Sequence, residues 1–237
     1  GTHGRGFWVL DNIAPLRQAT PAILASEAHM FTPPVGVRSG SGMVLSWWLT
    51  APFKSARLEI LDSAGATLRT FEPDTTKPDS TRAAGGGRRG GTTYLPKEAG
   101  LQRLQWDLRT EGIASFPGMI LWGAGTSGPA VPPGRYTARL TVDGRRLTAP
   151  IVVKRNPWIT DVTDADLVAR YRFGRQVRDK ATEANRAVIA IRNTKRQLDD
   201  RYKRAANDAA LKSAGETLRA NASGVEENVY QVRNQSG

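Results

Sequence analysis

The sequence contains no cysteine, which removes a disulfide framework, a thiol nucleophile and any Cys-ligated metal site. Only two histidines are present, His3 and His29. Neither has a second His, Asp or Glu at ligand spacing, so both are expected to be structural or solvated, and no metal or other cofactor is assigned. No run approaches the roughly 18 apolar residues that a membrane span needs. The opening Gly-Thr-His-Gly-Arg-Gly reads as neither a signal peptide nor a natural start, so the chain is expected to begin inside a longer gene product. Negative charge is scarce: 22 Asp+Glu face 34 Lys+Arg, a net +12 over 237 residues. The excess is 19 against 11 before residue 160 and 15 against 11 after it, so both halves are basic. Such a field favours an acidic partner, anionic lipid or nucleic acid, and it says nothing about fold. Because the charges are not gathered into one stripe with interleaved aromatics, nucleic acid is not the expected partner.

What is present is a clear β-hairpin. Tyr136, Ala138, Leu140 and Val142 alternate with Thr137, Arg139, Thr141 and Asp143, and Asp143-Gly144 supplies a tight type I′ turn before a return strand to Val153. Met43–Thr50, Ala56–Leu61, Ala66–Phe71 and Leu101–Leu108 are further strand candidates, and Val35-Gly36-Val37 is a candidate edge strand. Six or seven strands with turn signals between them fit two antiparallel sheets rather than an α/β fold. Two insertions interrupt them. Pro73–Gly100 contains a Gly-rich stretch around Arg88 and Arg89, which has little apolar surface to bury and is expected to be mobile. Thr110–Val131 instead packs Phe116, Met119, Ile120, Leu121 and Trp122 into seven positions. Such a loop either plugs an end of the sandwich, packs on a neighbouring part of the chain, or forms an apolar docking patch.

At Thr163 the period changes. Thr163 reads as an N-cap with Asp164 and Asp166 behind it. From there Leu167, Tyr171, Gly174, Val177, Ala181, Ala184, Val188, Ile191, Lys195, Leu198 and Tyr202 form one seam along a helix of about 40 residues and about 60 Å. A second helix is expected from Asp208 to about Arg233, with Leu211, Ala214, Leu218, Val225, Val229 and Val232 facing the first. The fold class read from these patterns is mainly β plus α: an Ig-like antiparallel β-sandwich followed by a long antiparallel helical hairpin.

Three stretches carry a resemblance. Gly-Thr-His-Gly-Arg-Gly-Phe-Trp-Val-Leu-Asp-Asn-Ile-Ala-Pro-Leu-Arg-Gln, at 1–18, resembles the closing strand and exit segment of bacterial secreted β-propellers with BNR or sortilin-like repeats, often labelled glycosyl hydrolase. Leu101–Arg109 and Phe116–Ala124 resemble the FlgD-like Ig module that follows the propeller in that family. The final Glu226–Gly237 is similar to its helical tail. The resemblance implies a remnant propeller strand at 1–18, a linker at 19–41, the Ig-like module at 42–153, a linker at 154–162 and helices at 163–237. It also implies a periplasmic or secreted bacterial protein whose catalytic residues, if the family has them, lie in propeller blades outside this sequence.

No carboxylate pair across a sugar cleft can be nominated: Asp107, Glu111 and Asp143 sit at strand ends or turns, and Glu59 on a polar strand face. No small-molecule substrate is identified. The expectation is a non-catalytic extracytoplasmic module that docks onto a larger protein complex with an acidic face, at a membrane surface if the complex is membranous. Resemblance alone extends this to a periplasmic accessory subunit of a bacterial membrane complex, such as a photosynthetic reaction centre with its antenna. The alternatives are an accessory C-terminal region of a secreted glycoside hydrolase or sialidase-like propeller enzyme, and a basic nucleic-acid-binding module. The contact residues expected are Phe116, Met119, Ile120, Leu121 and Trp122, with Phe7 and Trp8 on the propeller strand and Arg88 and Arg89 at the rim.

Overall fold

The computed structural model describes residues 12–73, 94–121, 123–205 and 208–230. Phe7, Trp8, Arg88, Arg89 and Trp122, together with the expected propeller strand and the Gly-rich stretch, lie outside the described residues. The elements in chain order are α1 (Ala14–Gln18), α2 (Pro21–Ala25), β1 (Ala28–Met30), β2 (Gly36–Val37), β3 (Met43–Leu49), β4 (Ala56–Leu61), β5 (Thr67–Phe71), β6 (Gly100–Trp106), β7 (Gly134–Val142), β8 (Arg145–Lys154), α3 (Asp164–Arg204) and α4 (Ala209–Val229). The coarse expectation, β-sheets followed by a helical region, is what the chain forms.

The chain divides into two compact units. The first runs to Glu111 and resumes over Pro129–Arg172. Its hairpin of β7 and β8 has the register Val142↔Arg145 to Gly134↔Val153, and its turn places both Asp143 and Gly144 at positive φ (46° and 83°). The Asp143 carboxylate accepts the Lys54 and Ser55 backbone N–H groups at 3.0 and 2.7 Å, which ties the turn to the start of β4. The hairpin belongs to a five-stranded sheet of order β2-β8-β7-β4-β5, and a second sheet has the order β1-β3-β6. Among the described strands all pairs are antiparallel except β2 with β8, which pair at Gly36↔Val153 and Val37↔Lys154.

Alternation along the strands sends one face of each sheet into a single apolar core. Leu45, Trp47 and Leu49 of β3, Leu104 and Trp106 of β6, Leu58 and Ile60 of β4, Leu140 of β7 and Ile151 of β8 are all buried there. Two polar tips in this core are satisfied through the backbone. The Trp106 indole N–H donates to Arg109 O at 2.8 Å, and the Tyr136 hydroxyl donates to Pro132 O at 2.7 Å, four residues upstream. Burial pushes the Tyr136 phenol up to about 12. On the opposite face of β3, the Trp48 indole donates to Leu24 O of α2, and Gln18 of α1 exchanges two hydrogen bonds with the Thr32 backbone. Phe31 is buried beside Ser46, whose carbonyl accepts its N–H. The span expected to be a linker at 19–41 thus supplies two strands and a helix of this unit.

The second unit joins Gly112–Gly128 to the chain from Phe173 onward, so the apolar insertion belongs with the helices. Contacts between α3 and α4 run in opposite senses. Arg192 and Lys195 meet Glu226, Asp199 meets Arg219, and the Tyr202 hydroxyl donates to Lys212 O. Gly215 is buried because Tyr202 occupies the space of a Cβ: one built there would lie 2.0 Å from the phenol oxygen.

The side of α4 turned to α3 differs from the sequence expectation. Leu218, Val225 and Val229, expected to face α3, are 47%, 51% and 41% exposed. Gly215, Arg219 and Glu226 face it instead. The reason is chemical: α3 offers two cations, a carboxylate and a phenol at the contact, and the α4 residues that match them are Glu226, Arg219 and the bare backbone of Gly215. At 100° per residue, that side lies roughly 80° around α4 from Leu218.

Candidate contact surfaces

The insertion expected to dock elsewhere is engaged inside its own unit. Asn185 of α3, buried, donates to Ala114 O at 2.7 Å, and the Thr182 hydroxyl accepts the Ala114 N–H at 3.3 Å. Phe116 is buried edge-on to Tyr230, with centroids 5.1 Å apart and ring planes at 81°. The Arg192 guanidinium lies over the Phe116 ring, 4.5 Å from its centroid, and Ile120 N–H donates to the Tyr230 hydroxyl at 2.8 Å. Met119 and Leu121 are half-buried, and Ile120 is exposed. Phe116, the described aromatic of the loop, thus fills the space between α3 and the end of α4.

Behind this cluster sits Glu226, whose side chain is only 5% exposed. Burial alone would raise its pKa. Hydrogen bonds from Lys195 Nζ and Arg192 Nε, both at 2.8 Å, outweigh burial and hold the carboxyl below its ordinary range. One cation, Arg192, thus serves both the carboxylate and the aromatic pair, coupling the loop to the helix contact.

The first unit presents a different surface in the segment 154–162. Asn156 makes an Asx turn: its side-chain oxygen accepts Trp158 N–H at 3.0 Å, and its carbonyl accepts Ile159 N–H at 3.2 Å. Trp158, on the turn so fixed, is 89% exposed. Ile159 beside it is also exposed. The residues just before the indole, Lys154, Arg155 and Pro157, line a shallow cavity of about 530 Å³ with Pro133, Gly134, Val153 and Asp164. Arg155 is held by a 2.8 Å hydrogen bond to Val162 O. An aromatic anchor on a preordered turn, next to a concave basic rim, is suited to protein recognition, because little ordering remains to be done on binding.

No family model and no curated protein matches the chain. Among solved structures, it is similar to CopC from Methylosinus trichosporium OB3b at 12% identity, over 54% of this chain and 95% of that one, with a TM-score of 0.27. It is also similar to the human B7-H4 IgV-like domain at 13% identity, again over 54% and 95%, with a TM-score of 0.25. At scores this low neither likeness bears on function.

Asp107, Glu59 and Glu111 all have structural partners. Asp107 accepts Arg109 N–H at 3.0 Å, and Glu59 pairs with Arg139 across the β4–β7 strands at 2.9 Å. Glu111 accepts from Thr70 N–H and Arg69 at the edge of β5. His29 stacks edge-on with Phe31. Among the described residues no group of three or more His, Asp or Glu is placed to hold a metal ion, and no described helix is long and apolar enough to cross a membrane. Trp158 did not stand out in the sequence because it sits in a short polar connection. The available signal was Asn156-Pro157 just before a large aromatic, in a stretch with neither strand nor helix period to bury it.

Proposed function

We propose that this chain is a non-catalytic, extracytoplasmic interaction module, an Ig-like β-sandwich followed by a helical hairpin, that docks onto a larger protein assembly. The observation that carries this reading is Trp158, 89% exposed on a turn that its neighbours have already ordered. Fully burying a side chain of this size stabilises a complex by about 2 to 3 kcal/mol, so one such anchor with Ile159 can dominate an interface. The net charge of +12 steers the chain toward an acidic face, and Lys154 and Arg155 stand next to the anchor. A large bacterial assembly with an acidic extracytoplasmic surface, such as a membrane complex, is the partner class that fits.

The test is photo-crosslinking in the producing cells, with a photoreactive phenylalanine analogue at Trp158 and, separately, at exposed Thr67 on β5 as control. A discrete adduct from position 158 that is absent from position 67 supports docking. The same adduct at both positions, or at neither, overturns it.

A further inference from the structure

We propose that this chain forms a parallel, in-register homodimer through the exposed face of α4. Leu211, Leu218 and Val225 recur at intervals of seven, and Ala214, Asn221 and Asn228 follow each by three, which is the a/d spacing of a coiled-coil seam. At 100° per residue these six cover an arc of roughly 100°. The residues that bond to α3 lie outside that arc, so a second helix can seat on α4 while α3 keeps its contacts. Val225 and Leu218 stand half exposed on this face, and no Lys, Arg, Asp or Glu lies within the arc.

Charge selects the occupant. The chain carries +12, and α3 has 12 Lys and Arg against 6 Asp and Glu, whereas α4 has 2 against 3. An acidic partner is drawn to the basic helix. The neutral stripe of α4 is where two like-charged copies can meet without placing cation on cation, through one self-complementary patch as two-fold symmetry requires. The asparagines select the direction. In a parallel pair each a or d position meets itself, so Asn221 meets Asn221 and Asn228 meets Asn228, and each amide both donates and accepts. In an antiparallel pair a meets d, which sets Asn221 against Leu218 and Asn228 against Leu211, leaving buried amides unpaired.

The absence of cysteine makes the test direct. Light scattering of the full chain across a dilution series should give twice the 25.7 kDa of one chain at the high end. A double Leu218→Glu, Val225→Glu variant should return that mass to one chain with its helical circular dichroism unchanged, since both side chains are solvent-facing. Val225→Cys under mild oxidation should give a disulfide-linked dimer, because position 225 meets itself only when the helices are parallel and in register. A wild-type chain that stays monomeric overturns the proposal, as does a dimer that survives the glutamate pair. A dimer in which Val225→Cys fails to cross-link overturns the parallel register.

Discussion

Glu226 shows how much of the helical unit hangs on one side chain. Its carboxylate is buried, bonded to two cations, and through Arg192 linked to Phe116 and Tyr230. Because its folded pKa is depressed, it contributes stability that is fully present above the unfolded value of about 4.3 and is lost as pH falls through the folded value. Glu226→Gln should therefore lower the stability of the helical signal by about 1 to 3 kcal/mol at neutral pH, since it leaves two cations without their charged partner. That gap should close as pH is lowered below about 4. Urea melts of both proteins followed at 222 nm over a pH series check this, and a gap independent of pH would show that packing, not charge, holds the contact. At the same scale, Asp143 and Tyr136 are polar groups that act through backbone atoms, Asp143 tying its turn to the distant start of β4 and Tyr136 securing the entry to its own strand.

Among elements, α4 separates what is legible in a sequence from what is not. The β7–β8 hairpin could be read because alternation and an Asp-Gly turn are local signals, and β3, β4 and β6 followed from the same period. The helix start at Thr163 was equally legible, and Thr163 and Asp166 exchange hydrogen bonds there. The orientation of α4 was not, since the hydrophobic period marks an apolar stripe without saying whether the partner helix offers apolar groups or cations. Phe116 is a related case: an apolar loop needs cover, and the sequence leaves open whether the chain itself or a partner supplies it. Two glycines of α4 make the packing testable. Nothing lies within 4 Å of a Cβ at Gly224, so Gly224→Ala should stabilise by up to about 1 kcal/mol, the helix-propensity gain. Gly215→Ala has the same intrinsic gain but collides with Tyr202, and thermal melts should show it unchanged or destabilised. Equal gains at both sites would mean that Tyr202 does not rest on α4.

At the scale of the whole molecule, composition and architecture divide the work. The basic field acts at long range and falls off beyond about 8 Å at physiological salt, whereas the exposed indole of Trp158 and the neutral stripe of α4 act only on contact. The outer edge of β8 is guarded against pairing with other chains. Because β2 covers only the last two residues of β8, no described strand hydrogen-bonds to the outer edge of β8 from Arg145 to Val152, a ready template for another chain's strand. Arg145 and Arg146 begin that edge, and Pro150 interrupts it with a residue that has no N–H to offer. The edge is thereby made a poor seed for fibrils. Pro150→Val should leave the thermal melt nearly unaltered yet shorten the lag before thioflavin-positive aggregates form on gentle agitation, and an unchanged lag would place the protection in the arginines instead.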